Sequence, residues 1–247
     1  MSAPRTGFPQ ADPAFEGQAV VVTGVGRAGQ AGEVVARAFA ERGATVVCLD
    51  RSAHVHDRVR ELTQAGHRAA GYEVDLTDAT AAAELARTIA AKHDNRIAAV
   101  AALAGGFAMS GPLEASDPAT YDRQVAINLT SAYVTARAFV PFVRAARGAF
   151  VFVTSASVLP GGKTANMSAY AMAKGGLIQL VRSLAQEERA HGVRANALAP
   201  TALRTAANLD AMSGDVRYVE REELAMMTVL LCGPACTRVS GQVIELA

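Results

Sequence analysis

Paired cysteines, surplus charge and long apolar runs are all scarce in this chain, and each scarcity removes a class of protein. Three cysteines in 247 residues, Cys48, Cys232 and Cys236, are too few for a disulfide framework. Cys232 and Cys236 stand in CGPAC, but no second ligand pair accompanies them, so no metal site is expected. His54 and His56 read as the solvated start of a helix, and His191 as a cation at a helix C-terminus. With 24 Lys+Arg against 23 Asp+Glu, the net charge of +1 offers no footprint for nucleic acid or an anionic membrane. The longest uncharged stretch, Ile97 to Leu113, is rich in Ala and Gly and falls short of the roughly 20 apolar residues of a membrane span. The opening MSAPRTGFPQADPAF has no apolar segment behind Arg5, so a secretion signal is not expected and a cytoplasmic location is. Internal repeats and low-complexity tracts are missing as well.

Apolar residues, by contrast, make up 51% of the chain, enough for the core of one large α/β domain. Residues 1–16 carry three prolines and read as a flexible arm ahead of a single domain over 17–247. Short β-branched runs predict strands at Ala19–Thr23, Thr45–Asp50, Ala69–Val74, Ile97–Leu103, Ala149–Thr154, Val193–Leu198 and Gln242–Leu246. Between them, Ala-rich periodic segments predict helices over Glu33–Arg42, His56–Ala65, Ala79–His93, Thr120–Arg147, Tyr170–His191 and Arg221–Leu231. Gly43, Gly66 and Gly192 follow helices as left-handed stops. Strands separated by helices imply right-handed crossovers and a mostly parallel, doubly wound sheet of about seven strands. Such sheets bind ligands at the carboxyl ends of their strands.

The first strand runs into TGVGRAGQAG, Thr23 to Gly32, and then directly into a helix. Gly24, Gly26 and Gly29 spell G-x-G-x-x-G, a turn whose backbone N–H groups can approach a pyrophosphate; this makes the domain Rossmann-type. Asp50 closes the second strand, where a carboxylate accepts from the ribose hydroxyls of NAD and repels the 2′-phosphate of NADP. Arg51 follows and could tolerate that phosphate, so NAD is expected and NADP less so.

Tyr170 and Lys174 stand four residues apart at a helix start, so both project from one face. A tyrosine pKa near 10 is too high for acid–base work at neutral pH. A Lys cation about 5 Å away, at an effective dielectric near 20, favours the phenolate by roughly 3 kcal/mol, or about two pKa units. Ser157 precedes Tyr170 by 13 residues, just past the buried strand VFV. Together with Asn128 in INLTS, this combination resembles the short-chain dehydrogenase/reductase family over about Gln18 to Leu246. The resemblance makes Tyr170 the general acid/base and Ser157 the residue that orients the substrate oxygen, with Ser155 as the alternative serine. Lys174 would lower the Tyr170 pKa and hold the nicotinamide ribose, and Asn128 would hold a water in a proton relay. The resemblance further places Asp75 and Leu76 at the adenine, Ala104 and Gly105 along the cofactor, and Pro200 and Thr205 beside the nicotinamide. It implies a homodimer or homotetramer through the helices over 120–147 and 170–191.

Three features depart from the family pattern. Its glycine loop reads TGxxxGxG, yet counting back from Gly43 puts Gly32 at the third glycine and Gln30 at the second, a loop about two residues longer. Either Gly29 or Gly32 could pack against the strand. The family's NNAG is ALAG here, Ala102 to Gly105, and its Pro-Gly is Pro200-Thr201. Residues 106–113, 158–167 and 202–218, the last with Leu209, Met212 and Tyr218, should line the substrate site. Their apolar character suggests a ketone or secondary alcohol on an apolar body, and Lys163 and Arg204 are candidates for a single carboxylate. The expected activity is hydride transfer between NAD(H) and such a substrate. The alternative is a family-fold binding or regulatory protein without turnover. Enoyl reduction is disfavoured, because those relatives space Tyr and Lys more widely.

Overall fold

Hydrophobic alternation is nearly absent from AVVVT, TVVCLD and AFVFV because these strands are covered on both faces. The computed structural model describes residues 14–211 and 217–247. Its strands are β1 (Ala19–Thr23), β2 (Thr45–Asp50), β3 (Ala69–Glu73), β4 (Ala99–Ala102), β5 (Ala149–Val153), β6 (Arg194–Pro200) and β7 (Val243–Leu246). They form one seven-stranded sheet in the order β3-β2-β1-β4-β5-β6-β7, with every pairing parallel. The strand order reverses between β1 and β4, which opens a crevice at their carboxyl ends.

Successive strand residues feed opposite layers. Val20, Val22, Val46 and Cys48 pack beneath α1 (Ala31–Ala40), α2 (His54–Gln64) and a helix over Arg221–Cys232. Val21, Val47, Phe150 and Phe152 face α3 (Ala79–Ala91) and two long helices further along the chain. The helix expected over 120–147 is broken. Asp117 caps α4 (Pro118–Val125), a π turn occupies Ala126–Thr130, and α5 (Ser131–Ala146) continues from it. Within the wide turn Asn128 donates to the Gln124 carbonyl at 3.1 Å and to the Gln124 side chain at 3.2 Å. Neither Pro nor Gly marks the break, and π turns of this kind gather at functional sites. The second long helix is α6 (Ser168–Glu187); α7 (Ala206–Ala211) and α8 (Arg221–Cys232) complete the set.

Phe15, inside the expected arm, is buried and meets the Phe39 ring edge-on at 5.1 Å. The packed body therefore begins before residue 17, and residues 1–13 of the arm lie outside the described residues. CGPAC is a helix ending: the buried Arg194 guanidinium donates to the carbonyls of Leu231, Cys232, Gly233 and Cys236. Burial pushes the Cys48 and Cys232 thiols up to about 12, which leaves them unreactive at neutral pH. No described helix is long and apolar enough to cross a membrane, and no three described His, Cys, Asp or Glu residues cluster as metal ligands would.

Candidate active site

The carboxyl end of β1 is built for close approach of backbone. Gly24 takes φ +76°, and a Cβ there would lie 3.0 Å from the Ala104 nitrogen. Gly32 resolves the register of the loop: a Cβ on it would strike the Gly24 carbonyl, so Gly32 is the glycine that packs α1 against the strand. Gly29 takes φ +74° at the loop's outer bend, with its amide donating to Glu33 at 2.7 Å. A Cβ on Gly26 would sit 2.6 Å from the Asp50 carboxyl carbon, so the bare glycine lies directly over that carboxylate. One Asp50 oxygen accepts from the amide and hydroxyl of Ser52, both at 2.9 Å, and the other accepts no hydrogen bond among the described residues. A glycine cradle beside a half-free carboxylate fits the pyrophosphate and ribose of a dinucleotide.

Where the NNAG side chains are missing, a hydroxyl joins the strands. Thr23 Oγ1 accepts from the amides of Leu103 and Ala104 at 3.1 and 3.0 Å and ties β1 to the end of β4. On the outer side Asp75 accepts from the amide and hydroxyl of Thr77 at 2.8 and 2.7 Å. These bonds, with the nearby Arg51 charge, hold its carboxyl below the usual range. Leu76 beside it is buried.

Five polar side chains gather near the ends of β4 and β5. Asn128 grips Gly106 in both directions, accepting from its amide at 3.1 Å and donating to its carbonyl at 2.8 Å. Lys174 donates to the Val153 carbonyl at 2.8 Å. A Cβ on Gly105 would come within 2.8 Å of Asn128 Oδ1 and 3.5 Å of Lys174 Nζ, so this glycine keeps the space between them open. The Ser155 and Ser157 hydroxyls are 2.9 Å apart, and Ser155 is the polar group that favours the Tyr170 phenolate. The two serines thus act as one hydroxyl pair, with Ser155 the member that influences the tyrosine. Phe107 stands edge-on to the Tyr170 ring at 5.0 Å.

The expected depression of the Tyr170 pKa is not present here. Burial raises it, and the Ser155 hydrogen bond only partly opposes that. The Lys174 ammonium stands 5.8 Å from the ring centre and is itself pushed down to about 8 by burial, so it is a weaker cation than a solvated lysine. Thr205 is buried and its hydroxyl accepts from the Asn208 amide at 3.2 Å, while Pro200 ends β6 beside β7. The Ala206 amide reaches the Gly29 carbonyl at 3.3 Å, which brings the Thr205 segment against the glycine loop.

Of the expected substrate loops, the first two are stitched together: the Ser110 and Gly111 amides donate to the Asn166 carbonyl at 2.8 and 3.0 Å. Phe107, Met109, Leu113 and Leu209 are exposed there. Arg204 pairs with Glu220 at 2.7 Å and covers the Tyr218 ring, so it is not a free carboxylate anchor. Lys163 stays exposed, and Met212 lies outside the described residues. A groove of about 300 Å³ lies elsewhere, between α1 and α2 among Glu33, Arg37, Arg58 and Glu61. Gln124 and Phe107 were not singled out by sequence reasoning. The i, i+4 interval from Gln124 to Asn128 was a usable signal, whereas Phe107 offered none.

A family model described as Enoyl-(Acyl carrier protein) reductase matches residues 24–246. The chain belongs to the short-chain dehydrogenase/reductase family. Among its relatives, cis-4-hydroxycyclohexanecarboxylate dehydrogenase of Sinomonas cyclohexanicum is 36% identical over 76% of this chain and 74% of its own. Galactitol 2-dehydrogenase (L-tagatose-forming) of Cereibacter sphaeroides is 32% identical over 93% of each. A solved structure described as an NAD(P)-dependent gluconate 5-dehydrogenase from Beutenbergia cavernae, with NADP bound, superposes at TM-score 0.84. It is 29% identical and covers 94% of this chain and 96% of its own. The protein is thus a short-chain oxidoreductase, and the family's cofactor is a nicotinamide dinucleotide.

Proposed function

We propose that the protein moves hydride between NAD(H) and a secondary alcohol or ketone carried on a small, largely apolar body. The observation that carries this reading is the approach of Asn128 and Lys174 across Gly105, with the Tyr170 ring centre 5.8 Å from the Lys174 ammonium and the Ser155–Ser157 hydroxyl pair at the end of β5. The nicotinamide, when bound, supplies the hydride chemistry. Tyr170 exchanges the proton at the substrate oxygen, and Ser157 orients that oxygen through its hydroxyl. Lys174 holds the ribose and supplies the positive charge beside Tyr170, while Asn128, braced by Gln124, fixes the end of the proton path. Gly24, Gly26, Gly29 and Gly32 form the phosphate loop, Asp50 takes the ribose and favours NAD over NADP, and Asp75 with Leu76 borders the adenine. Ala104, Gly105, Pro200 and Thr205 line the remaining length of the cofactor.

Exposed Phe107, Met109 and Leu209 support an apolar substrate body, and the dehydrogenases among the relatives support an alcohol over an enoyl thioester. The spacing Tyr170-x-x-x-Lys174 supports the same choice. A homodimer or homotetramer through α5 and α6 belongs to this reading, with Tyr133 and Met172 exposed on those helices. One observation favours a non-catalytic binder: Gly29 already spends its amide on Glu33 and its carbonyl on Ala206.

A panel of cyclic and acyclic secondary alcohols, supplied with NAD and followed by absorbance of the reduced nicotinamide, separates the two. Turnover by the wild type that falls about 10²–10⁴-fold in Tyr170→Phe, with NADH binding retained, is expected. Equal turnover in Tyr170→Phe would remove the proton-transfer assignment, and nucleotide binding with no turnover on any member would favour the binder.

A further inference from the structure

Arg221, the first residue of α8, reaches across to the lengthened glycine loop. One of its terminal nitrogens lies 3.9 Å from the point where a Cβ on Gly29 would stand. Its Nε is buried and has no hydrogen-bond partner among the described residues, an arrangement that is costly unless something else satisfies it. Glu220, Glu223 and Glu33 are engaged elsewhere. Glu220 bonds Arg204 at 2.7 Å and shares a capping box with Glu223. Glu33 accepts from the Gly29 amide at 2.7 Å and pairs with Arg37 at 2.8 Å. Arg221 makes no ion pair with a described carboxylate.

The position of this cation matters as much as its lack of a partner. Gly29 is the seam between the phosphate loop and the Thr205 segment, because its carbonyl accepts the Ala206 amide. A Cβ on Gly29 would also lie 3.3 Å from the Ala206 side chain, so the two segments touch where Arg221 arrives. Meanwhile Glu33 accepts the Gly29 amide and so removes one loop N–H from service. A loop weakened in this way needs a compensating donor, and a guanidinium supplies two parallel N–H groups and a full charge.

We infer that Arg221 is a pyrophosphate-binding residue of this protein, closing onto the dinucleotide from α8 and offsetting Glu33 in the lengthened loop. This rests on the nucleotide-binding reading above. A purely structural brace is the competing role, and it differs in which ligands and which state of the protein it affects.

Calorimetric titration of the full chain with ADP-ribose, NADH and adenosine distinguishes the two, using wild type, Arg221→Ala and Arg221→Gln. Loss of the charged contact should weaken ADP-ribose and NADH alike by about ten- to a hundredfold. Adenosine, which has no phosphate, should bind unchanged, and the melting point without ligand should stay put. Should Arg221→Ala fail to fold, Arg221→Gln, which keeps part of the stem and a polar end without the charge, carries the same expectation. Unchanged ADP-ribose affinity in a folded variant would overturn the inference and leave the dinucleotide site standing. Equal weakening of adenosine with a lowered melting point would assign Arg221 to bracing instead. If the wild type binds neither ADP-ribose nor NADH, the nucleotide reading falls and this inference falls with it.

Discussion

At the ends of β4 and β5 polar side chains bond to one another and to nearby carbonyls: Asn128 to Gln124 and Gly106, Lys174 to Val153, Ser155 to Ser157. Between β1 and α1 the shape comes instead from what is absent, because a Cβ on Gly32 would strike the Gly24 carbonyl and one on Gly26 the Asp50 carboxylate. The first region is made of side chains on regular elements and can lose one function at a time. The second is made of backbone, so damage to its packing reaches binding and stability together.

Gly32→Ala tests that contrast with the largest expected effect. Its new methyl group has only backbone to displace, which should cost about 1–3 kcal/mol of stability in a denaturant titration and abolish NADH binding. Gly29→Ala should cost about 1–2 kcal/mol, set mainly by its positive φ, with a tight 3.3 Å contact to the Ala206 methyl. If Gly29→Ala proved the more damaging of the two, the third-glycine assignment would pass from Gly32 to Gly29.

A pH effect sharpens the other side of the comparison. Burial holds the Lys174 pKa at about 8 against the ordinary 10.5, so between those values the unfolded chain binds a proton that the folded chain has released. Stability should therefore rise with pH across that window, and below it the folded state carries the whole cost of burying the charge. Lys174→Met removes this dependence. Melting points measured from pH 7 to 10.5 should show the wild type gaining on the variant as pH rises. Parallel curves would mean that Lys174 stays as well solvated as in the unfolded chain.

The same contrast explains what could be read from sequence. Tyr170, Lys174, Ser157 and Asn128 sit at fixed intervals on strand ends and helices, where spacing carries over into position. The strand positions and the parallel, doubly wound layering were legible for the same reason, through β-branched runs and helical periodicity; the strand order was not. Loop register was not. Which glycine touches Gly24 depends on the path of a turn two residues longer than the pattern, and spacing does not encode that path. The π turn at Ala126–Thr130 was hidden because no helix-breaking residue marks it and the hydrogen bond that accompanies it comes from a side chain. Arg221 and Phe107 were silent because their partners, Gly29 and Tyr170, are remote in the chain. The Tyr170 pKa was misjudged because distance to Lys174 was considered without the burial that acts on both groups.

The most direct test is titration of the wild-type protein with NADH and, separately, NADPH, following nucleotide fluorescence. A carboxylate at Asp50 with one oxygen free for the ribose predicts that NADH binds at least about tenfold more tightly than NADPH, and that Asp50→Ala closes the gap. NADPH binding as tightly as NADH would contradict the Asp50 assignment, and binding of neither would contradict the dinucleotide site itself.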